Sequence, residues 1–276
     1  MQHLLNTYRF IFVRKVFHKV NYHVHRIALR GIGVLNSEGP HITGESDFLK
    51  SLSKYADIQT IVDVGANTGE YAQELRLYFP KAVIYAIEPH PQTFKKLSSL
   101  AKKIKLHVFN QGLGDHVGKG KLWDFADDAQ LKHTQPTSTL ASTLKEVIED
   151  LHGQKAQAYE FSLNTLDNFA EQEKIKKIDF LKIDIEGAEI TVLRGAKQLL
   201  KNKSISFIQF EFNEMNAYSK TFLKDFIDIL PQHLFYRIMP RGLYAMGEYR
   251  PSTHEIFAFQ NIVAIPKEYE SIANKL

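Results

Sequence analysis

The chain has 276 residues, 44% hydrophobic and 24% charged, and no cysteine. That suits a soluble globular protein with a full core and excludes disulfides and thiolate metal sites. No apolar run approaches the ~18 residues of a membrane span, and the basic start lacks the apolar centre of a secretory signal, so a cytoplasmic protein is expected.

The net charge of +4 is uneven. Residues 1–37 hold Arg9, Arg14, Lys15, Lys19, Arg26 and Arg30 and no acid, so this segment carries +6 and the rest of the chain −2. A local surplus of this kind argues against nucleic acid, which favours a basic stripe across the folded domain. Leu4, Leu5, Tyr8, Ile11, Phe12, Val16, Val20 and Ile27 recur among these bases at helical spacing. Residues 1–30 are thus expected to be amphipathic and suited to an anionic membrane surface, an acidic partner, the core or a second copy. Turn residues Gly31, Gly33, Gly39-Pro40 and Gly44 end this arm, taken as 1–43 with its linker. The remainder, 44–276, reads as one domain opening with a short helix over 45–55.

From residue 60, apolar runs alternate with amphipathic stretches. TIVDV (60–64), VIYAIE (83–88), LHVFN (106–110), FLKIDI (180–185) and SFIQFEF (206–212) read as buried parallel strands. Helical patterns cover 70–79, 91–103 and 188–202. YRIMP (236–240) and EIFAFQNIVAI (255–265) follow without a long helix between them and fit an antiparallel edge. The expected fold is α/β and Rossmann-like, with a mostly parallel seven-stranded sheet covered by helices on both faces. The stretch 111–178 is too long for a plain crossover. An insertion over about 116–160, with a hairpin near KGKLWDF (119–125), a helix near 142–151 and a strand YEFSL (159–163), is expected to shape the substrate side.

Three strand ends carry the binding signal. Asp63-Val64-Gly65-Ala66-Asn67-Thr68-Gly69 leaves the first strand and enters a helix. Its glycines allow a sharp turn and close ligand approach, yet the spacing is not the Gly-x-Gly-x-x-Gly of dinucleotide folds. The acid at its start suits a cation better than a pyrophosphate, and S-adenosylmethionine brings an ammonium and a sulfonium. Glu88 ends the second strand, where an acid accepts both ribose hydroxyls. Gln111-Gly112-Leu113-Gly114-Asp115 follows the third, at the expected adenine edge. One glycine turn is often only a turn; three in order after three strands point to a cofactor.

These segments resemble the FkbM-type methyltransferases, S-adenosylmethionine-dependent Rossmann-like enzymes that mostly methylate hydroxyl oxygens. The resemblance rests on GESDFL (44–49), IVDVGANTGEY (61–71), AIEPHPQTFKKL (86–97), NQGLGD (110–115), TLDNF (165–169), DFLKIDIEGAEITVLRGA (179–196) and FEFNE (210–214). It implies cofactor contacts at Asp63, Gly65, Asn67, Glu88 and Asp115. The chain departs from the family at Gln111-Gly112, where alanine is commoner, and its first 40 residues match nothing in it.

For the reaction, the carboxyl ends of the strands are where open sheets hold ligands. Asp184, in an otherwise apolar strand before Gly187, is the leading candidate for a base; the alternative is an N-cap of the following helix. Glu186 and Glu189 suit the start of that helix electrostatically. Asp184, Glu211 and Asn213 together offer hard oxygen ligands for Mg²⁺, by analogy with metal-dependent O-methyltransferases. His133, His233 and His254 fall in segments that fold toward the catalytic face, with His254 leading as a base. Trp123 and Gln135–Thr139 are candidates for an acceptor pocket. The expected activity is methyl transfer to a hydroxyl of a glycan or other hydroxylated metabolite. A cofactor-binding module without turnover and transfer to nitrogen are the alternatives, although the Asp/Asn-Pro-Pro-Tyr/Phe motif of nucleobase N-methylation is missing.

Overall fold

The computed structural model describes residues 2–37, 39–126 and 141–276. His133 and Gln135–Thr139 lie outside these residues.

Eight strands form the central sheet: β1 (Thr60–Val64), β2 (Val83–Ile87), β3 (His107–Phe109), β7 (Ile178–Ile183), β8 (Ile205–Phe212), β9 (His233–Met239), β10 (Gly242–Ala245) and β11 (Gln260–Pro266). Their order is β10-β9-β11-β8-β7-β1-β2-β3. The run from β3 to β8 is parallel, and β11 inserts antiparallel between β8 and β9. Seven of these are the expected strands. The eighth, β10, turns back on β9 through Arg241 and Gly242, both at positive φ, and adds only an edge.

Alternation along the inner strands sends successive side chains to opposite faces. Val62, Ile183 and Phe210 pack with the helix Glu189–Arg194, while Ile61, Phe180 and Phe207 pack under α3 (Glu45–Tyr55) and α4 (Glu70–Tyr78). The stretch expected as one helix over 188–202 is two, Glu189–Arg194 and Lys197–Lys201. Gly195 separates them, where a Cβ would lie 2.0 Å from the Gly114 carbonyl oxygen.

The insertion differs from the expected hairpin. Strand β5 (Gly118–Phe125) pairs antiparallel with β6 (Ala156–Thr165), which also takes β4 (Gly112–Gly114) alongside, making a second, three-stranded sheet. Helices α1 (Gln2–Phe12) and α2 (His18–Gly31) bury no residue.

Candidate active site

The turn after β1 is set by backbone. Gly65 at φ +84 and Asn67 at φ +48 allow the Gly65 and Ala66 amides to donate to the Ile87 carbonyl, each at 3.0 Å. The Asp184 amide donates to the Val64 carbonyl at 2.9 Å, clamping the ends of β1 and β7 together. A hollow of about 250 Å³ opens at this junction, lined by Gly65, Asn67, Glu88, Leu122, Asp184 and Glu186 among others. Leu122 belongs to β5, so the insertion contributes a residue to the lining of the hollow. A larger cavity of about 710 Å³ lies at the opposite end of the strands, beside Thr60, Val83 and Asp179, and holds none of the strand-end turns.

Glu88 lines the hollow with its carboxylate folded into its own turn. One oxygen accepts from the Asn67 amide at 2.9 Å and the other from the His90 amide at 2.7 Å. Each keeps a further lone pair, which suits a pair of hydroxyls. Burial, outweighing those two bonds, pushes its pKa up to about 7. Asp63 stands behind the hollow, fully buried, with neither carboxylate oxygen hydrogen-bonded. Burial pushes it up to about 6, opposed by Lys182. The Asn67 side-chain oxygen is likewise buried without a partner. Orphaned buried acceptors of this kind are expensive unless a ligand supplies donors or positive charge, so the cationic cofactor expected from the sequence fits them.

Asp184 follows β7 and is not a helix cap. The N-cap position belongs to Ala188, which makes no side-chain cap bond. The Asp184 carboxylate, with a third of its side-chain surface exposed, pairs at 2.7 Å with the buried Lys182 ammonium. Glu189 stands in the first turn of that helix, the helix-start position expected of it, and has a second duty. Glu189 accepts from the Ile185 and Gly187 amides, both at 3.1 Å, and so fixes the turn that presents Asp184.

Lys182 had no place in the sequence reading. It sits between Asp63 on β1 and Gln209 on β8 in one cross-strand row, and its ammonium lies 4.6 Å from the Tyr71 ring centroid. Gln209 accepts from the Tyr71 hydroxyl at 2.7 Å and donates to Glu45 at 2.8 Å. The signal was available: Lys182 and Asp184 share strand parity, as do Gln209 and Glu211.

The other candidates disperse. The adenine-edge residues are not brought to the hollow, because β4 is drawn into the second sheet opposite Leu163–Thr165. Gly112 lies under the Phe161 ring, Gln111 precedes it, and the exposed Asp115 binds the His116 ring at 2.7 Å. Gly69 packs on Leu97 and Leu100 at the start of α4. His233 begins β9, at the end of the sheet away from the hollow. His254 lies in a different cavity, its Nδ1 beside the Arg250 amide at 3.1 Å.

The Mg²⁺ arrangement does not fit. The Asn213 side-chain oxygen accepts from the Met215 amide at 2.8 Å, its amide group binds Glu211, and Asp184 already holds a cation in Lys182. Among the described residues no group of three or more His, Asp or Glu side chains is placed to hold a metal.

The raised carboxyls make a prediction with a definite sign. The folded values of about 6 for Asp63 and about 7 for Glu88 lie above the ordinary 3.8 and 4.5. The folded protein therefore holds protons that the unfolded chain has lost, and that stability disappears as pH rises through 6 to 7. The melting temperature of the unliganded protein should fall from pH 5 to 7.5, while the rise produced by S-adenosylmethionine should grow. Scanning calorimetry with and without the cofactor checks this; a ligand-induced rise that shrinks over the same range would contradict it.

A profile described as the Methyltransferase FkbM domain matches residues 63–238. The chain is 22% identical to the 2-O-methyltransferase NoeI of Sinorhizobium fredii, over 66% of this chain and 75% of that protein. It is 28% identical to Methyltransferase 1 of Beauveria bassiana, over 52% and 61%. It is 25% identical to the hexuronic acid methyltransferase AglP of Haloferax volcanii, over 62% and 64%. Among solved structures, the plantazolicin methyltransferase BpumL in complex with a monoazolic desmethylPZN analog and SAH overlays 94% of this chain and 93% of its own at 11% identity. Its TM-score of 0.42 is too low to carry an argument about the site. With the profile spanning most of the α/β domain and the strand-end acids fitting S-adenosylmethionine, the chain belongs to the FkbM methyltransferase family.

Proposed function

We propose that this protein transfers a methyl group from S-adenosylmethionine to a hydroxyl of a saccharide or other hydroxylated metabolite, with Asp184 as the base. One observation carries the reading: a partly exposed carboxylate stands at the end of β7, faces the hollow bounded by Gly65 and Glu88, and is braced from behind by a buried lysine. The cofactor, when bound, supplies a methyl group on an excellent sulfonium leaving group. Glu88 offers acceptors for hydroxyls, and Asp63 with Asn67 gives the turn its unfilled acceptor capacity. Asp184 accepts the proton of the acceptor hydroxyl, the group whose removal limits attack by an alcohol. Lys182 holds Asp184 in place and keeps that proton-accepting oxygen aimed at the hollow. The similarity to a 2-O-methyltransferase, NoeI, and a hexuronic acid methyltransferase, AglP, supports oxygen and sugar chemistry. The test is a methyl-transfer screen of sugar nucleotides, oligosaccharides and small alcohols with purified protein. Turnover on an amine, with no alcohol accepted, would refute the oxygen assignment.

The arm suggests where this happens. We infer that α1 and α2 lie on an anionic lipid surface. Leu4, Phe10, Val16 and Ile27 are each at least 70% exposed, the segment carries only positive charge, and Tyr8 binds Asn21 at 2.6 Å to tie the two helices together. None of the described helices is long and apolar enough to cross a membrane, so surface docking is the arrangement that uses both faces. Each base near an anionic surface contributes about 1 kcal/mol. Replacing Arg14, Lys15 and Lys19 together with glutamine should therefore weaken binding to phosphatidylserine vesicles by at least about tenfold. Vesicle sedimentation reads the effect; unchanged binding by the triple variant would exclude the lipid surface.

A further inference from the structure

Arg237 is an anomaly in a protein core. It lies on β9 and is 97% buried, with only 3% of its surface exposed. A guanidinium so placed ordinarily meets a carboxylate. Here its Nε donates to the Gln260 side-chain oxygen at 2.7 Å and one terminal nitrogen donates to the Thr253 carbonyl at 3.1 Å. Both partners are neutral, and Arg237 forms no ion pair with an acid among the described residues. The remaining N–H groups of its planar fork are left for a ligand.

The surroundings are those of a built pocket. A cavity of about 410 Å³ is lined by Arg237, Arg250, His254, Thr253, Tyr244 and Glu248 among others. His254 is 96% buried, and its Nε2 has no hydrogen-bond partner among the described residues. Its Nδ1 is held among the Arg250 and Thr253 groups at 3.0–3.1 Å, which fixes the ring. Two arginines, Arg237 and Arg250, line the cavity with one acid, Glu248, and Arg250 and Glu248 are both exposed. Burial lowers the Arg237 pKa, the direction expected of a buried cation without a counter-charge.

The cavity also has a relation to the methyl-transfer hollow. Arg237, Ile262, Phe210 and Ile183 form one row across β9, β11, β8 and β7. Asp184 follows Ile183, and three strand spacings separate β9 from β7, roughly 14 Å. Both openings therefore sit toward the carboxyl end of the same sheet, too far apart for one hexose ring to fill both.

We propose that the Arg237–Arg250–His254 cavity binds an oxyanion, a phosphate or carboxylate carried by the acceptor some distance from the hydroxyl that is methylated. A planar guanidinium fork matches either oxyanion in bidentate fashion, with the His254 ring as a third contact. The existence of the site stands independently of the methyl-transfer reading; its assignment to the acceptor rests on that reading.

The experiment is calorimetric titration of the full-length protein, without S-adenosylmethionine, using inorganic pyrophosphate in one arm and glucuronate in the other. At least one anion should bind, and Arg250→Gln and Arg237→Lys should each weaken it by about tenfold. Because Arg237 is buried, melting curves accompany each variant; Arg250 and His254→Gln carry the result if Arg237→Lys does not fold. Preference for pyrophosphate identifies a phosphate source, and preference for glucuronate a carboxylate. Absence of heat from both anions with folded wild-type protein overturns the proposal, as does binding that Arg250→Gln and His254→Gln leave unchanged. Titration with S-adenosylmethionine in the same protein separates the two readings, since anion binding without cofactor binding would sink methyl transfer alone.

Discussion

Asp184→Asn should lower turnover by about two orders of magnitude or more while leaving the fold and cofactor affinity nearly intact. The substitution keeps the shape of the side chain and removes its ability to take a proton. Breaking a buried ion pair often costs ~3–5 kcal/mol, which would confuse the result if Lys182 were left alone. It is not left alone: the charges of Asp63 and Glu45 also act on Lys182, and Asp184 itself is a third exposed. The stability loss should accordingly be small beside the kinetic one. Single-turnover methyl transfer and a melting curve on the same preparation separate the two. Full activity in the folded variant would remove Asp184 from the chemistry. Lys182→Met then distinguishes bracing from proton transfer, since loss of the brace should disturb kcat through Asp184, and Asp184→Asn in that background should add little.

The parts of this fold that were legible were those written in local pattern. The first five strands of the parallel sheet follow from apolar runs bounded by turns, and Thr60–Val64 and Glu45–Tyr55 have the bounds expected of them. Tertiary contacts decided the rest. Nothing local says that Gly195 must pass within touching distance of Gly114, so the break in the helix after β7 was invisible. Strand β5 was legible as a strand, but its partner β6 lies beyond a long stretch of intervening chain, and a hairpin was the simpler reading. The Asp63, Asn67, Glu88 and Asp184 positions come together because strand order alone delivers them to one edge. The Gln111–Asp115 turn was drawn away by pairing with β6, a long-range event, and His254 by the Arg237 cavity. Lys182 could have been found by treating a lysine in a buried strand as a question about its counter-charge.

Gly65→Ala should abolish both cofactor binding and turnover, and the structure supplies its own controls. Gly65 has φ +84, and a Cβ there would lie 1.8 Å from the Asp184 carbonyl oxygen and 2.8 Å from its carbonyl carbon. Those are backbone atoms of the very turn that presents the Asp184 side chain, so relief requires the ends of β1 and β7 to separate. Gly69 also has a positive φ, +89, but its Cβ would meet the Leu100 and Leu97 side-chain ends at 2.6 and 2.9 Å. Those ends can rotate away, so Gly69→Ala should cost stability with only partial loss of binding. Gly153, at φ +62, has no atom within 4 Å of the added carbon. Gly153→Ala should thus cost only the left-handed backbone strain, about 1 kcal/mol, with activity unchanged. The three alanines share the strain of positive φ and differ in what the new carbon strikes. Calorimetric affinity for S-adenosylmethionine, read beside melting temperature, should rank them Gly65 worst, then Gly69, then Gly153. Equal losses at all three would mean that backbone strain alone governs the turn. Wild-type affinity in a folded Gly65→Ala protein would place the cofactor somewhere other than the junction of β1 and β7.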